Sequence, residues 1–144
     1  MRMSNMSTKP NKHTLQLTAR GRYAVNVMVE LAKQQEMKPA PLSGIAERSQ
    51  ISLSYLEQLI SGLRKHGLVK SYRGPGGGYV LKKPANDIVI SEILIAAEDI
   101  TPAKRNKAKK PVADESASLW DHIGEFLYTK LKTLTLADVL KEKL

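Results

Sequence analysis

The chain contains no cysteine. Disulfides are therefore excluded, and so is any metal site or iron–sulfur cluster held by thiolates. Large aromatics are scarce, with one Trp and one Phe among 144 residues. At a hydrophobic fraction of 42%, the core is expected to be thin and mainly aliphatic. No apolar stretch approaches the roughly 20 residues needed to span a bilayer. The opening run MRMSNMSTKPNKHTLQL lacks an apolar segment followed by a small-residue cleavage site, so it does not read as a secretion signal. Residues 1–15 are read as a disordered tail, and the protein as cytoplasmic with no membrane partner.

Acidic residues are missing from one part of the chain in particular. Residues 1–90 hold 14 Lys and Arg against 5 Asp and Glu, whereas residues 91–144 hold 9 of each. The whole formal net charge of +9 therefore lies in the first part. A polyanion docking there is the functional reading, and a basic surface kept for solubility is the plain one.

What is present is periodic. RGRYAVNVMVELAKQQ (20–35) places Ala24, Met28, Leu31 and Ala32 on one helical face. PLSGIAERS (41–49) is a shorter helix with Pro41 in its first turn and Leu42, Ile45 and Ala46 apolar. After the turn QIS, Ser52 caps a third helix whose buried stripe is Leu56, Leu59, Ile60 and Leu63, and Gly67 stands where a left-handed residue ends it. Two helices joined by a short turn, the second polar on its free face, form a helix-turn-helix candidate.

Residues 68–82 come directly after that pair. LVKSY and YVLKK alternate as strands do, and RGPGGG joins them, so the segment reads as a β-hairpin. Glycines that cradle a nucleotide phosphate lead into a helix, whose N-terminal amides hold the anion. Here a second strand comes next, without a Gly-Lys-Ser/Thr ending, which weighs against that reading. A hairpin placed after a helix-turn-helix is a wing. Gly74 and Gly76 keep its tip thin, and Arg73 at its base is suited to the negative potential of a narrow groove. A surface turn with an incidental arginine remains the alternative.

The C-terminal part has its own pattern. VISEILIAAED (89–99) reads as a short helix capped by Ser91. Residues 104–110 collect five cations, apolar periodicity disappears, and 100–115 is read as a flexible basic loop. From Ser116, the residues Trp120, Ile123, Leu127, Leu131 and Leu134 form a narrow seam of the kind that pairs helices. A monomer this small offers little core for that seam, so a homodimer is expected through 116–144. Thr135 is expected to cap a terminal helix. His122 and Glu125 have the spacing of half a metal site, but a solvated helix face accounts for them better.

LTARGRYAV, SLSYLEQLISGLRKHGLVKSYRGPGGGYVL and the SLW before the last helices closely resemble the IscR-like family of winged-helix transcriptional regulators, from about Leu17 to Leu140. The resemblance implies a homodimeric DNA-binding repressor or activator, in a family that often controls iron–sulfur assembly, iron or stress genes. It implies that Ser54, Glu57 and Gln58 face the major groove and that Arg73 reaches the minor groove. From the residues themselves, Ser54, Tyr55 and Ser61 are expected on phosphates, as are Arg20 and Arg22, and Arg64 and Thr18 complete the expected contact set. Glu57 is suited to accept from cytosine N4, although its spacing from Ser54 also fits a capping box. Tyr23 and Tyr79 are read as packing residues. Cluster-binding members carry three cysteines and a histidine between the short and long helices. Here the cysteines are absent and Ala117 stands where the histidine would be, so no cofactor or metal is expected.

The expected architecture is mostly α with a small β-hairpin wing: a winged helix-turn-helix domain at 16–99, the basic loop, and dimerisation helices. The expected partner is a double-stranded DNA operator with a two-fold repeat. A sequence-independent or RNA-binding protein of the same fold is the alternative, marked by binding that falls with salt yet ignores sequence. No nucleophile–base pair, ligand cluster or cofactor fingerprint points to an enzyme.

Overall fold

Aliphatic residues at helical spacing bring three helices around one core. In the computed structural model, which describes residues 19–34, 38–98, 115–142 and 144, α1 spans Ala19–Lys33, α2 Leu42–Ser49 and α3 Leu53–Lys65. Ala24, Val27, Met28 and Leu31 of α1 meet Leu56, Leu59, Ile60 and Leu63 of α3, all buried. Ile45 is the buried residue of α2. Between α2 and α3, Gln50 takes a left-handed conformation at φ 58° that reverses the chain. Arg48 pairs with Glu30 at 2.8 Å and ties α2 to α1. Pro41 precedes the second helix as its N-cap rather than lying in its first turn.

The end of α3 is closed by its own backbone. Gly67 N–H donates to the Arg64 carbonyl at 3.0 Å, and Leu68 N–H to the Leu63 carbonyl at 2.9 Å, with Gly67 at φ +74°. This is a Schellman closure, in which a left-handed residue satisfies the last free carbonyls. The next residue begins the hairpin of β1 (Val69–Tyr72) and β2 (Gly78–Leu81), paired antiparallel with Val69 opposite Leu81 and Tyr72 opposite Gly78.

A third segment joins this hairpin. Ala40 N–H donates to the Tyr79 carbonyl at 2.9 Å, and Tyr79 N–H returns a bond to the Ala40 carbonyl at 3.0 Å. The wing is thereby fastened to the start of α2. A Cβ at Gly78 would collide with the Ala40 carbonyl, so this contact admits only glycine there.

Lys83 pairs with Glu92 at 3.0 Å where the chain passes from the hairpin through a 3-10 turn at Ala85–Asp87 to α4 (Ile90–Glu98). Ser91, expected as the cap of α4, is instead buried inside its first turn at 3% exposure. The helix starts one residue before it, and backbone carbonyls meet part of the first turn's need: Ile90 N–H donates to the Leu134 carbonyl at 2.8 Å and Glu92 N–H to the Val89 carbonyl at 3.1 Å. Helices α5 (Ala117–Leu131) and α6 (Leu136–Leu140) complete the described chain. Thr135 caps α6, as read from the sequence, and Asp138 completes a reciprocal capping box with it. Leu136 is fully buried in the common core. Residues grouped by sequence with a separate dimerisation unit therefore contribute to the core of the winged part. The expected tail at 1–15 and the cationic run at 104–110 lie outside the described residues.

Candidate nucleic-acid interface

Helix α3 offers one face to the core and the other to solvent. Its first turn is fixed by Ser52, whose hydroxyl accepts from Tyr55 N–H at 3.1 Å. Ser54 is thus inside the helix rather than its cap, and Glu57 lies in the second turn, exposed. The capping alternative for Glu57 falls away with that placement. Ser54, Glu57, Gln58, Ser61 and Arg64 are all exposed, and their three- and four-residue spacing lines them along one stripe. The sequence-based set on α3 is therefore brought together.

Tyr55 lies at the edge of that stripe, half-buried. Its ring meets Tyr23 of α1 edge-on, with centroids 5.7 Å apart and planes at 85°. Tyr23 packs on Tyr55 while staying 37% exposed, and Tyr79 packs against the core. Burial pushes the Tyr55 hydroxyl above its ordinary pKa, and the nearby Arg20 cation pulls it partly back.

Arg20 and Arg22 do not act as a pair. Two residues apart on a helix, they point about 200° from each other. Arg20 lies near Tyr55 and ion-pairs with Glu98 at the end of α4, at 3.8 Å. Arg22 instead borders a groove of about 620 Å³ formed with Val25, Asn26, Ile90, Leu94 and Leu131. The sequence could not show this, because Glu98 and Leu131 are distant along the chain. Thr18 lies outside the described residues.

In the wing, Arg73 opens the loop that follows β1 rather than standing at the hairpin's base, and it is exposed with Gly74 and Gly76 where Gly77 N–H closes onto the Gly74 carbonyl at 2.8 Å. Lys70 stands over the ring of Tyr72 at 5.6 Å, adding a cation and an aromatic that were not singled out from the sequence. Their i, i+2 spacing on β1 was the available signal.

Helix α5 carries a second exposed surface. Trp120 is 56% exposed, Ile123 38%, and Leu119 and Phe126 reach 51% and 71%. Ser116 supports this end by accepting from the Trp120 indole N–H at 2.9 Å. The seam read from the sequence divides here: Leu131 and Leu134 turn onto the chain's own core, while Trp120 and Ile123 face outward. Leu119 and Phe126, spaced seven apart, extend the outward stripe and were missed.

A short helix, a turn, a capped helix with a polar outer stripe and an adjoining glycine-tipped hairpin define a winged helix-turn-helix transcriptional regulator. The chain belongs to the Rrf2 family: the family model described as an iron-dependent transcriptional regulator matches residues 17–142. It is 42% identical over 133 residues to the HTH-type transcriptional regulator IscR of Klebsiella pneumoniae (strain 342), covering 90% of this chain and 82% of that protein. Among solved structures, IscR of T. potens is similar with a TM-score of 0.70 and 36% identity, covering 90% of this chain and 89% of the other. CymR (YrzC), the global cysteine regulator of B. subtilis, gives 0.69 and 36%, covering 90% and 99%.

The family description invokes iron. With no cysteine in the chain, its donors do not fit a thiolate-held cluster. No three His, Cys, Asp or Glu side chains converge among the described residues, and His122 and Glu125 are exposed on α5.

Proposed function

We propose that the protein is a homodimeric, sequence-specific regulator that binds a two-fold repeat in double-stranded DNA, acts in the cytoplasm and catalyses no reaction. The observation that carries this reading is the continuity of the exposed α3 stripe with the Arg73 wing, joined only through His66, Gly67 and Leu68. Glu57 and Gln58 supply base-edge contacts in the major groove, Ser54, Tyr55 and Ser61 hold phosphates, and Arg73 enters the adjacent minor groove. The apolar stripe Leu119, Trp120, Ile123 and Phe126, exposed among the described residues and with Leu127 beside it, is matched to a second copy of itself. Regulation proceeds without a thiolate-ligated cluster, so its input is protein abundance or another ligand.

Selection of bound duplexes from a random DNA pool tests this. Enrichment of a motif with two inverted half-sites about one helical turn apart, or a multiple of it, is expected. Salt-sensitive binding with no enriched sequence would assign the protein to the architectural class instead.

A further inference from the structure

Arg20 is poorly satisfied where it stands. Its Nε is a buried polar atom without a hydrogen-bond partner among the described residues, and its Nη2 lies 3.8 Å from a Glu98 carboxylate oxygen. Charge-assisted N–H···O bonds close to about 2.7–2.9 Å, so this pair is an attraction without a formed hydrogen bond. A guanidinium has five donors arranged to grip two oxygens of one anion. The pair with Glu98 leaves that capacity unused.

The location gives this a purpose. Arg20 is close enough to Tyr55 to act on its hydroxyl, and Tyr23, one turn further along α1, supports the same ring. Tyr55 is the third residue of α3. The N-terminal residues of a recognition helix come nearest the DNA, which places Arg20 at the DNA-facing edge with a carboxylate at its side. Both side chains of the pair are 32% exposed, so neither charge is stranded when they separate.

We propose that Glu98 is a positioning residue that holds Arg20 in the free protein and yields it to a DNA phosphate on binding. The phosphodiester takes the place of Glu98 at Nη2, and it accepts from Nε as well once the guanidinium swings out of its buried position. One anion replaces another on the same guanidinium, so the pair restrains DNA affinity without blocking it. Binding linkage is reciprocal: any cation that engages Glu98 in place of Arg20 tightens DNA binding, and DNA makes Glu98 more available to that cation. Glu98 closes α4 immediately before residue 99, so the restraint stands at the C-terminal boundary of the winged part.

This rests on the DNA-binding reading, and the experiment separates the two. The full-length protein is titrated against a labelled mixed-sequence duplex and against the selected operator over a range of salt concentrations. Glu98→Gln is expected to bind both duplexes roughly two- to fivefold tighter, the scale of an exposed ion pair. Arg20→Gln is expected to weaken binding and to lower the slope of log affinity against log salt by about one, the signature of a lost phosphate contact. In the Arg20→Gln background, Glu98→Gln is expected to have no further effect.

Arg20→Lys keeps the charge and serves if Arg20→Gln unfolds; it should retain the slope and the response to Glu98→Gln. Unchanged or weaker binding by folded Glu98→Gln overturns the proposal, as does an unchanged salt slope in Arg20→Gln, which would make the pair a structural tie. Failure of the unaltered protein to bind either duplex would instead sink the DNA-binding reading beneath it.

Discussion

Gly78 and Ala40 approach so closely that no side chain fits between them, and the same contact carries two backbone hydrogen bonds between Ala40 and Tyr79. Gly78→Ala must push the hairpin away from the start of α2 or break those bonds. A loss of about 2 kcal/mol in folding stability is expected, within the range for overpacked sites. Denaturant unfolding measures it, and a midpoint equal to that of the unaltered protein would contradict the packing described.

Ser52 satisfies the amide of Tyr55 at the start of α3. Ser52→Ala should cost about 1 kcal/mol of stability, and Ser52→Asp should restore most of it because either side chain accepts the bond. Thermal unfolding of the two variants distinguishes a cap from a residue that matters only to DNA.

Glu57 and Arg73 are expected to fail differently. Arg73→Ala should weaken binding to the selected operator by about 1–3 kcal/mol without unfolding the protein, since the side chain is exposed at the wing tip. Glu57→Ala should alter the preferred bases more than the affinity, because it removes an acceptor for cytosine while relieving repulsion from phosphates. Repeating the selection with each variant checks both. Identical motifs from Glu57→Ala and the unaltered chain would remove Glu57 from base reading.

Charge on the outer face of α5 should separate the protomers. Trp120→Asp combined with Phe126→Asp alters residues that are 56% and 71% exposed, so the fold of each chain should survive. Sedimentation should then report a monomer with poor operator affinity. A dimer that persists would move the interface to another surface.

Anaerobic incubation with iron and sulfide should leave the protein colourless, because four cluster ligands would have to come from residues other than cysteine. Visible absorption with about two irons bound per chain would overturn this expectation.

Much of the site was legible because it is local. The stripe Ser54, Glu57, Gln58, Ser61 and Arg64 emerges from helical spacing once Leu56, Leu59, Ile60 and Leu63 are recognised as the buried side. The hairpin was legible from its glycines, and α6 from Thr135. The hidden features depend on chain segments meeting at a distance. The Ala40 bridge to Tyr79 rests on backbone atoms and leaves no side-chain pattern. The Arg20–Glu98 pair, the groove beside Arg22 and the inward turn of Leu131 and Leu134 arise only after distant helices pack together. Ser91 misled because a serine at a helix start resembles a cap even when a neighbouring backbone carbonyl has already met that need.

The closure of α3 onto the hairpin leaves no slack between the two elements. Leu68 is bonded back into the last turn of the helix and precedes Val69, the first residue of β1. On the binding mode proposed above, a helix and wing joined this way turn together, so the separation between the two grooves they enter is dictated by the protein. The double helix must then make the adjustment by changing its groove width or bending at compliant steps. Base pairs lying between the two contact zones would accordingly be selected for pliancy, although no side chain touches them.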